Sequence, residues 1–282
     1  MKQYQIGIML ECLKRPFDES LKLAREIGAD ALQIGLFALE QSHAERMEAL
    51  DKMKSNGLRV SAVCGDLGGH GFTRAEENPA KIETSKRIME LALDFEADVV
   101  TTHIGVIPAD RKGCYGVLSE ACAELGQFAE QCGARFAIET GPETPETLFA
   151  FLEQLPTKGI GVNYDPANLV MVTGSDPIQG LRTLQGKIVH THAKDGIMLK
   201  QTDSAVIYGI FADGGIEDFR MEEYFREVPL GQGKVDIPAW LKELDAIGYD
   251  GFVTVEREVG ADPVGDISKA VRYLKQLMQS ER

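Results

Sequence analysis

Residues 135–166, RFAIETGPETPETLFAFLEQLPTKGIGVNYDP, read as one complete strand–helix–strand unit. RFAIETG (135–141) and GIGVNYDP (159–166) are short apolar runs bounded by Gly, Asp or Pro, as strands are. The interval 144–155 between them has the pattern of an amphipathic helix. The same unit recurs in both directions along the chain. QIGIML, DALQIGLF, LRVSAVCGDL and ADVVTTHIG precede it as strands, and KIVHTHAKD and DGFVTVEREV follow it. Helices are predicted over 17–28, 42–56, 79–96, 115–132, 175–185, 237–247 and 263–279. Several open on a capping residue or first-turn proline, such as Asn78-Pro79, Asp176-Pro177 and Asp236-Ile237-Pro238. Several close on glycine: Gly28, Gly57, Gly133, Gly186 and Gly248.

Eight strands alternating with eight helices imply a parallel sheet. Right-handed crossovers close such a sheet into a (β/α)₈ barrel, and residues 1–282 suit one barrel domain of this size. An open doubly wound sheet is the rival, but no GxGxxG follows the first strand. One interval, roughly 196–235, is too long for a simple turn and carries the Gly-rich pieces YGIFADGG and PLGQGK. It reads as a long loop after strand seven that covers the catalytic end.

Composition narrows the function. The chain is 44% hydrophobic and 26% charged, which suits a globular protein with a large core. A net charge of −14 repels phosphate backbones and argues against nucleic acid as a partner. No run of about 18 apolar residues marks a membrane span. MKQYQIGIMLECLKRP lacks a secretory shape and reads as a first strand, so a cytoplasmic protein is expected. The five cysteines, Cys12, Cys64, Cys114, Cys122 and Cys132, form no CxxC pair and suit a reducing compartment.

In such a barrel, chemistry gathers at the C-terminal ends of the strands. Four polar residues stand there on consecutive strands: Glu139, Asp165, His192 and Glu256. Three carboxylates converging on one small space repel each other, and a divalent cation removes the conflict. Three oxygen donors and one imidazole suit Mn²⁺, the expected ion, or Mg²⁺, with Co²⁺ or Zn²⁺ also compatible. Alternation along strand seven puts His190, His192 and Lys194 on one face. His103 at the end of strand four, His190, Lys194 and His70 in GDLGGHGF are the candidate substrate contacts, with His190 equally suited to supporting a ligand from behind. Trp240, at an apolar helix position, reads as core.

These motifs carry a resemblance over nearly the whole chain. AIETG around Glu139, NYDPANL around Asp165, HTHAKDG around His192 and PLGQGKVDIPAWLKELDAIGYDGFVTVERE up to Glu256 resemble the xylose isomerase-like TIM barrel superfamily of sugar and sugar-phosphate isomerases and epimerases. The resemblance implies one metal ion held by those four residues. It implies that Glu139 and Glu256 lie on opposite faces of the substrate and act as the catalytic pair. The metal would polarise a carbonyl and its neighbouring hydroxyl. One glutamate would then remove the carbon-bound proton to give an enediolate, and the other would return a proton. The partner implied is a small sugar or sugar derivative, and relatives are often homodimers or homotetramers.

The departures limit the match. Ketose 3-epimerases carry a Glu, a His and an Arg where this chain has Pro145, Asn168 and Met198, so free ketohexose 3-epimerisation does not carry over. A resemblance to endonuclease IV-like repair enzymes also fails at Asn168, and at Phe225-Arg226-Glu227 ahead of Gly231-Gln232-Gly233, where zinc ligands are missing. A dehydratase or lyase acting on an inosose or 3-keto-glycoside shares the first proton transfer and stays open. A non-catalytic sugar-binding role is disfavoured because both glutamates are kept.

Overall fold

The computed structural model describes residues 2–213 and 220–280. Its strands are β1 (Ile6–Met9), β2 (Ala31–Ile34), β3 (Arg59–Cys64), β4 (Val99–Thr102), β5 (Arg135–Glu139), β6 (Ile160–Tyr164), β7 (Ile188–Ala193), β8 (Asp195–Met198), β9 (Phe225–Val228) and β10 (Val253–Val255). Eight of them close a parallel barrel in the order β1-β10-β7-β6-β5-β4-β3-β2. Each lies within a stretch that the sequence pattern assigns to a strand. The register sets Glu139 beside Asn163 and His192 beside Thr254, so the ends of β5, β6, β7 and β10 lie close together.

The outer layer is α1 (Phe17–Ile27), α2 (His43–Ser55), α3 (Asn78–Asp94), α4 (Tyr115–Cys132), α5 (Pro145–Leu152), the short turn α6 (Pro166–Asn168), α7 (Pro177–Thr183), α8 (Ser204–Ala212), α9 (Ile237–Ala246) and α10 (Pro263–Ser280). Local chemistry starts these helices. The side chains of Thr144, Asp176 and Asp236 accept from the first-turn N–H groups of α5, α7 and α9, each with a proline at the helix start. Ser42 and Glu45 form a reciprocal capping box on α2. The inner faces, such as Ile267, Ala270, Val271, Leu274 and Met278 of α10, are buried against the barrel. Trp240 is fully buried, as its apolar position predicts.

The barrel interior differs from this layer. Ala62, Val99 and Ala137, with Val189 against them, form a small apolar cluster of their own. Gln33, Thr101, Asn163, His190, His192 and Thr254 are also buried. Buried polar groups are costly unless paired, so this set marks where the fold serves something other than stability.

The interval 196–235 is more than a loop. β8 and β9 pair antiparallel, with Asp195 opposite Val228, and α8 lies between them. Of the Gly-rich pieces, Gly214 and Gly215 of YGIFADGG fall outside the described residues. Asp195 ties the second piece down. One of its oxygens accepts from the N–H of Gly231 and Gly233 at 3.0 and 2.7 Å, the other from Gly196 and Val235 at 2.9 and 3.1 Å. Gly233 has to be glycine, since a Cβ there would collide with the Asp195 carboxylate. Among the described residues no helix is long and apolar enough to cross a membrane, and all five cysteines are free thiols.

Candidate metal centre and active site

Glu139 ends β5, His192 lies in β7, and Asp165 and Glu256 each follow directly on the last residue of β6 and β10. The structure brings all four together. Each is buried, and one donor atom from each lies within 4.8 Å of the others. His192 Nδ1 stands 3.2 Å from Glu256 Oε2, 3.5 Å from Asp165 Oδ2 and 3.7 Å from Glu139 Oε1. A cation with bonds of about 2.1 Å sets its donors about 3 to 4 Å apart. Among the described residues this is the one convergent group of three or more such donors.

The hydrogen bonding selects which atoms face inward. Asp165 Oδ1 caps α6, accepting from the N–H of Ala167 and Asn168 at 2.8 and 2.9 Å, while Oδ2 has no partner. His192 Nε2–H donates to Gln33 Oε1 at 3.0 Å, and Gln33 is held in turn by its bond to Thr101 Oγ1. In the neutral ring that a cation would require, Nδ1 is then the nitrogen whose lone pair faces the carboxylates, and it has no hydrogen-bond partner. Two orphaned, buried donor atoms 3.5 Å apart are what a bound cation would satisfy. The residues present therefore fit a divalent ion.

Glu139 is fixed by two amides. Asn163 Nδ2 donates to its Oε2 and Asn168 Nδ2 to its Oε1, each at 3.0 Å. Behind Asn163 stands His190, whose Nδ1–H donates to Asn163 Oδ1 at 2.8 Å and whose Nε2 accepts from the Thr254 hydroxyl at 2.9 Å. Both ring nitrogens are used and the residue is buried. That corrects the expectation of substrate contact: His190 supports Asn163, and through it Glu139. Burial, reinforced by the His192 charge, pushes its pKa well down, so it is neutral.

Lys194, just past β7, is buried, with Nζ 2.7 Å from Glu256 Oε2 and 2.8 Å from Glu258 Oε2. Asp165 Oδ2 and Glu227 Oε2 lie further out at 3.8 and 3.9 Å. Glu227 also pairs with Arg257 at 2.7 Å, and Arg257 with Asp266 at 3.1 Å. An ion-pair network thus fills the place where Phe225-Arg226-Glu227 departs from the zinc-cluster pattern.

Without a cation the charges balance within the protein. Burial would lower the His192 pKa, but Glu256 and Glu139 raise it well above its usual range. Burial would raise Glu256, but His192 and Lys194 hold it well below the usual carboxylate value.

At the mouth, the half-buried His103 directs Nε2 to within 3.8 Å of Glu139 Oε1, while Nδ1 is 3.1 Å from Asp66 Oδ2. Burial alone would lower its pKa; Glu139 and Asp66 override that and raise it to about 9. Its ring lies 5.8 Å from that of Tyr208 on α8. His70 is directed elsewhere: its Nε2 meets Asp213 Oδ1, just past α8, at 2.8 Å. Gln33, Asp66, Glu143 and Tyr208 are site residues the sequence pattern did not single out. Only Gln33 left a signal, as a polar side chain inside the apolar run DALQIGLF.

The sequence profile of the xylose isomerase-like TIM barrel family matches residues 21–277. The chain belongs to that family. Among curated relatives, an uncharacterised protein of Methanocaldococcus jannaschii, MJ1311, is 22% identical over 212 residues, covering 70% of this chain and 62% of that one. The L-ribulose-5-phosphate 3-epimerase UlaE of Escherichia coli is 24% identical over 98% of this chain and 96% of its own. Among solved structures, a xylose isomerase domain protein of Planctomyces limnophilus superposes with a TM-score of 0.79 at 22% identity, covering 99% of both chains. The probable 3-DHS dehydratase AsbF of Bacillus anthracis gives 0.74 at 16%, covering 96% of this chain and 98% of that one. A family member from Mycobacterium smegmatis in complex with magnesium gives 0.73 at 18%, covering 99% and 97%.

Proposed function

We propose that this member of the family is a divalent-metal-dependent isomerase or epimerase of a keto-sugar or sugar derivative, with Mn²⁺ as the favoured ion. The observation that carries the reading is the pair of orphaned atoms, Asp165 Oδ2 and His192 Nδ1, facing Glu139 and Glu256 in one buried cluster. When bound there, a divalent cation acidifies the hydrogen on a carbon flanked by a carbonyl and a hydroxyl. The chain's own groups do the rest. Glu139 and Glu256 come from β5 and β10, which flank the β6–β7 pair bearing Asp165 and His192. One carboxylate takes the carbon-bound proton and the other returns a proton to the same or the adjacent carbon. Asn163 and Asn168 hold Glu139 to one geometry, and Lys194 does so for Glu256.

The test is isotopic. Turnover in D₂O should place deuterium on carbon in the recovered sugar. Glu139→Gln and Glu256→Gln should each lower kcat by about 10³-fold or more, the scale of a lost general acid or base. Turnover without exchange would point to hydride transfer and sink the two-glutamate scheme, as would near-wild-type rates in either variant.

A dehydratase or lyase reading shares the first proton transfer. His103, with Asp66 behind it and Glu139 3.8 Å away, is placed to protonate a leaving hydroxyl. Loss of water from the substrate would select this reading over isomerisation.

A further inference from the structure

Glu143 is a buried carboxyl group that the metal cluster does not use. It sits on the loop between β5 and α5, four residues beyond Glu139, and is only 7% exposed. No well-formed hydrogen bond reaches either of its oxygens among the described residues, although the backbone groups of Ile107 and of Glu143 itself lie close enough to interact with it. Natural proteins rarely leave such a group unsatisfied, and a bound ligand or water is one of the ways its oxygens are paired.

Its surroundings are those of the substrate mouth. The backbone of Ile107, on the loop after β4, lies beside it, and His103 is within electrostatic reach. Tyr208 feels both Glu139 and Glu143. The Tyr208 phenol is seated over Gly141, where an added Cβ would collide with its oxygen. Three separate segments therefore bring Glu143, His103 and Tyr208 to the side of Glu139. A protonated carboxyl and a phenol each donate and accept hydrogen bonds, and a protonated imidazole donates them, so the three together match sugar hydroxyls. Burial raises the Glu143 carboxyl to about 8, so near neutrality it keeps a proton to donate.

The charge around the mouth points the same way. Lys194 is held by Glu256 and Glu258, Arg257 by Glu227 and Asp266, and His70 by Asp213. A phosphate dianion entering here meets the carboxylates of Glu139 and Asp66, and the one cation of the wall, His103, is already shared between those two.

We infer that Glu143, together with His103 and Tyr208, forms a hydroxyl-binding wall that selects an uncharged keto-sugar over its phosphate ester. This deepens the isomerase or epimerase reading and rests on it for the identity of the ligand as a sugar. Glu143 is the specificity-determining member of the wall.

The experiment uses the full chain loaded with Mn²⁺. Calorimetric titration compares D-fructose, D-tagatose, D-ribulose and L-ribulose, each against its own terminal phosphate. At least one neutral ketose should bind about tenfold or more tightly than its phosphate. Glu143→Leu should weaken that ketose about tenfold or more, the worth of a hydrogen bond to a buried polar group. The same variant, free of sugar, should melt at a higher temperature than wild type, because an unsatisfied buried carboxyl has been removed. Glu143→Gln keeps the shape and should lie between the two in affinity. Equal or tighter binding of the phosphates, binding of no neutral ketose, or unchanged affinity in both Glu143 variants overturns the inference. Ketose binding without deuterium exchange would retire the isomerase reading and leave the hydroxyl wall standing.

Discussion

The imidazole of His192 has two nitrogens, and Gln33 determines which of them faces the carboxylates. By accepting from Nε2–H it fixes the tautomer whose Nδ1 carries the lone pair. Among the described residues the Gln33 side chain bonds to Thr101 and His192 and to none of the three carboxylates, yet it decides which nitrogen of His192 can act as a ligand. Gln33→Leu should therefore lower Mn²⁺ affinity by about 10- to 100-fold, the range for lost support behind a metal ligand. Calorimetric titration of the metal-free protein measures this without any substrate. Unchanged affinity would mean that β7 alone orients the ring. His190 acts at one remove in a similar way, since it holds the amide that holds Glu139. Residues of this kind are the hardest to read from sequence. A ligand announces itself as a charged group at a strand end, whereas a support is an ordinary polar residue whose partner lies on another strand.

The element that most depends on one such residue is the β8–β9 hairpin. Asp195 is buried and accepts four backbone N–H bonds, two of them from the Gly231-Gln232-Gly233 turn. Asp195→Ala would leave those donors without their acceptor and free the 225–236 segment. Bonds to a charged acceptor contribute about 1.5–3 kcal/mol each and are not additive, so a loss of about 3 kcal/mol or more is expected. Urea unfolding would read that loss, and limited proteolysis should find new cleavage within 225–236. A variant as stable and as resistant as wild type would show that strand pairing alone holds the hairpin. The same element marks the boundary of what the sequence conveys. The eight barrel strands and their helices follow from short apolar runs, Gly and Pro boundaries and 3.6-residue periodicity, and these are local signals. β8, β9 and α8 have no comparable pattern. What fixes the hairpin is a carboxylate more than thirty residues from the glycines it binds. The four metal-type ligands could be read because each ends a strand. Tyr208 could not be placed, because its surroundings depend on where that insertion folds.

For the molecule as a whole, the cluster is a stability problem that a cation solves. Glu139, Asp165 and Glu256 are buried together in a chain of net charge −14, and without metal their charge is offset within the fold by His192 and Lys194. Any ligand that binds only the folded state stabilises it, by about 2.7 kcal/mol at a free concentration 100 times Kd. For a chain of this size that corresponds to a rise in Tm of about 5 °C. Mn²⁺ should produce such a rise in the wild type, and EDTA should reverse it. Lys194→Met separates the two sources of compensation. Removing the ammonium leaves Glu256 and Glu258 without their nearest cation, and breaking a buried pair in this way costs about 3–5 kcal/mol. The metal-free variant should melt well below the metal-free wild type. Added Mn²⁺ then neutralises some of the same carboxylates, so the increment it brings should be larger in the variant than in the wild type. That inequality is the informative result. Equal increments would mean that the ammonium and the metal site are energetically independent, even though Nζ lies 2.7 Å from one proposed ligand and 3.8 Å from another. A larger increment would mean that the barrel balances the same negative charge in two ways, with lysine and histidine when empty and with a cation when loaded.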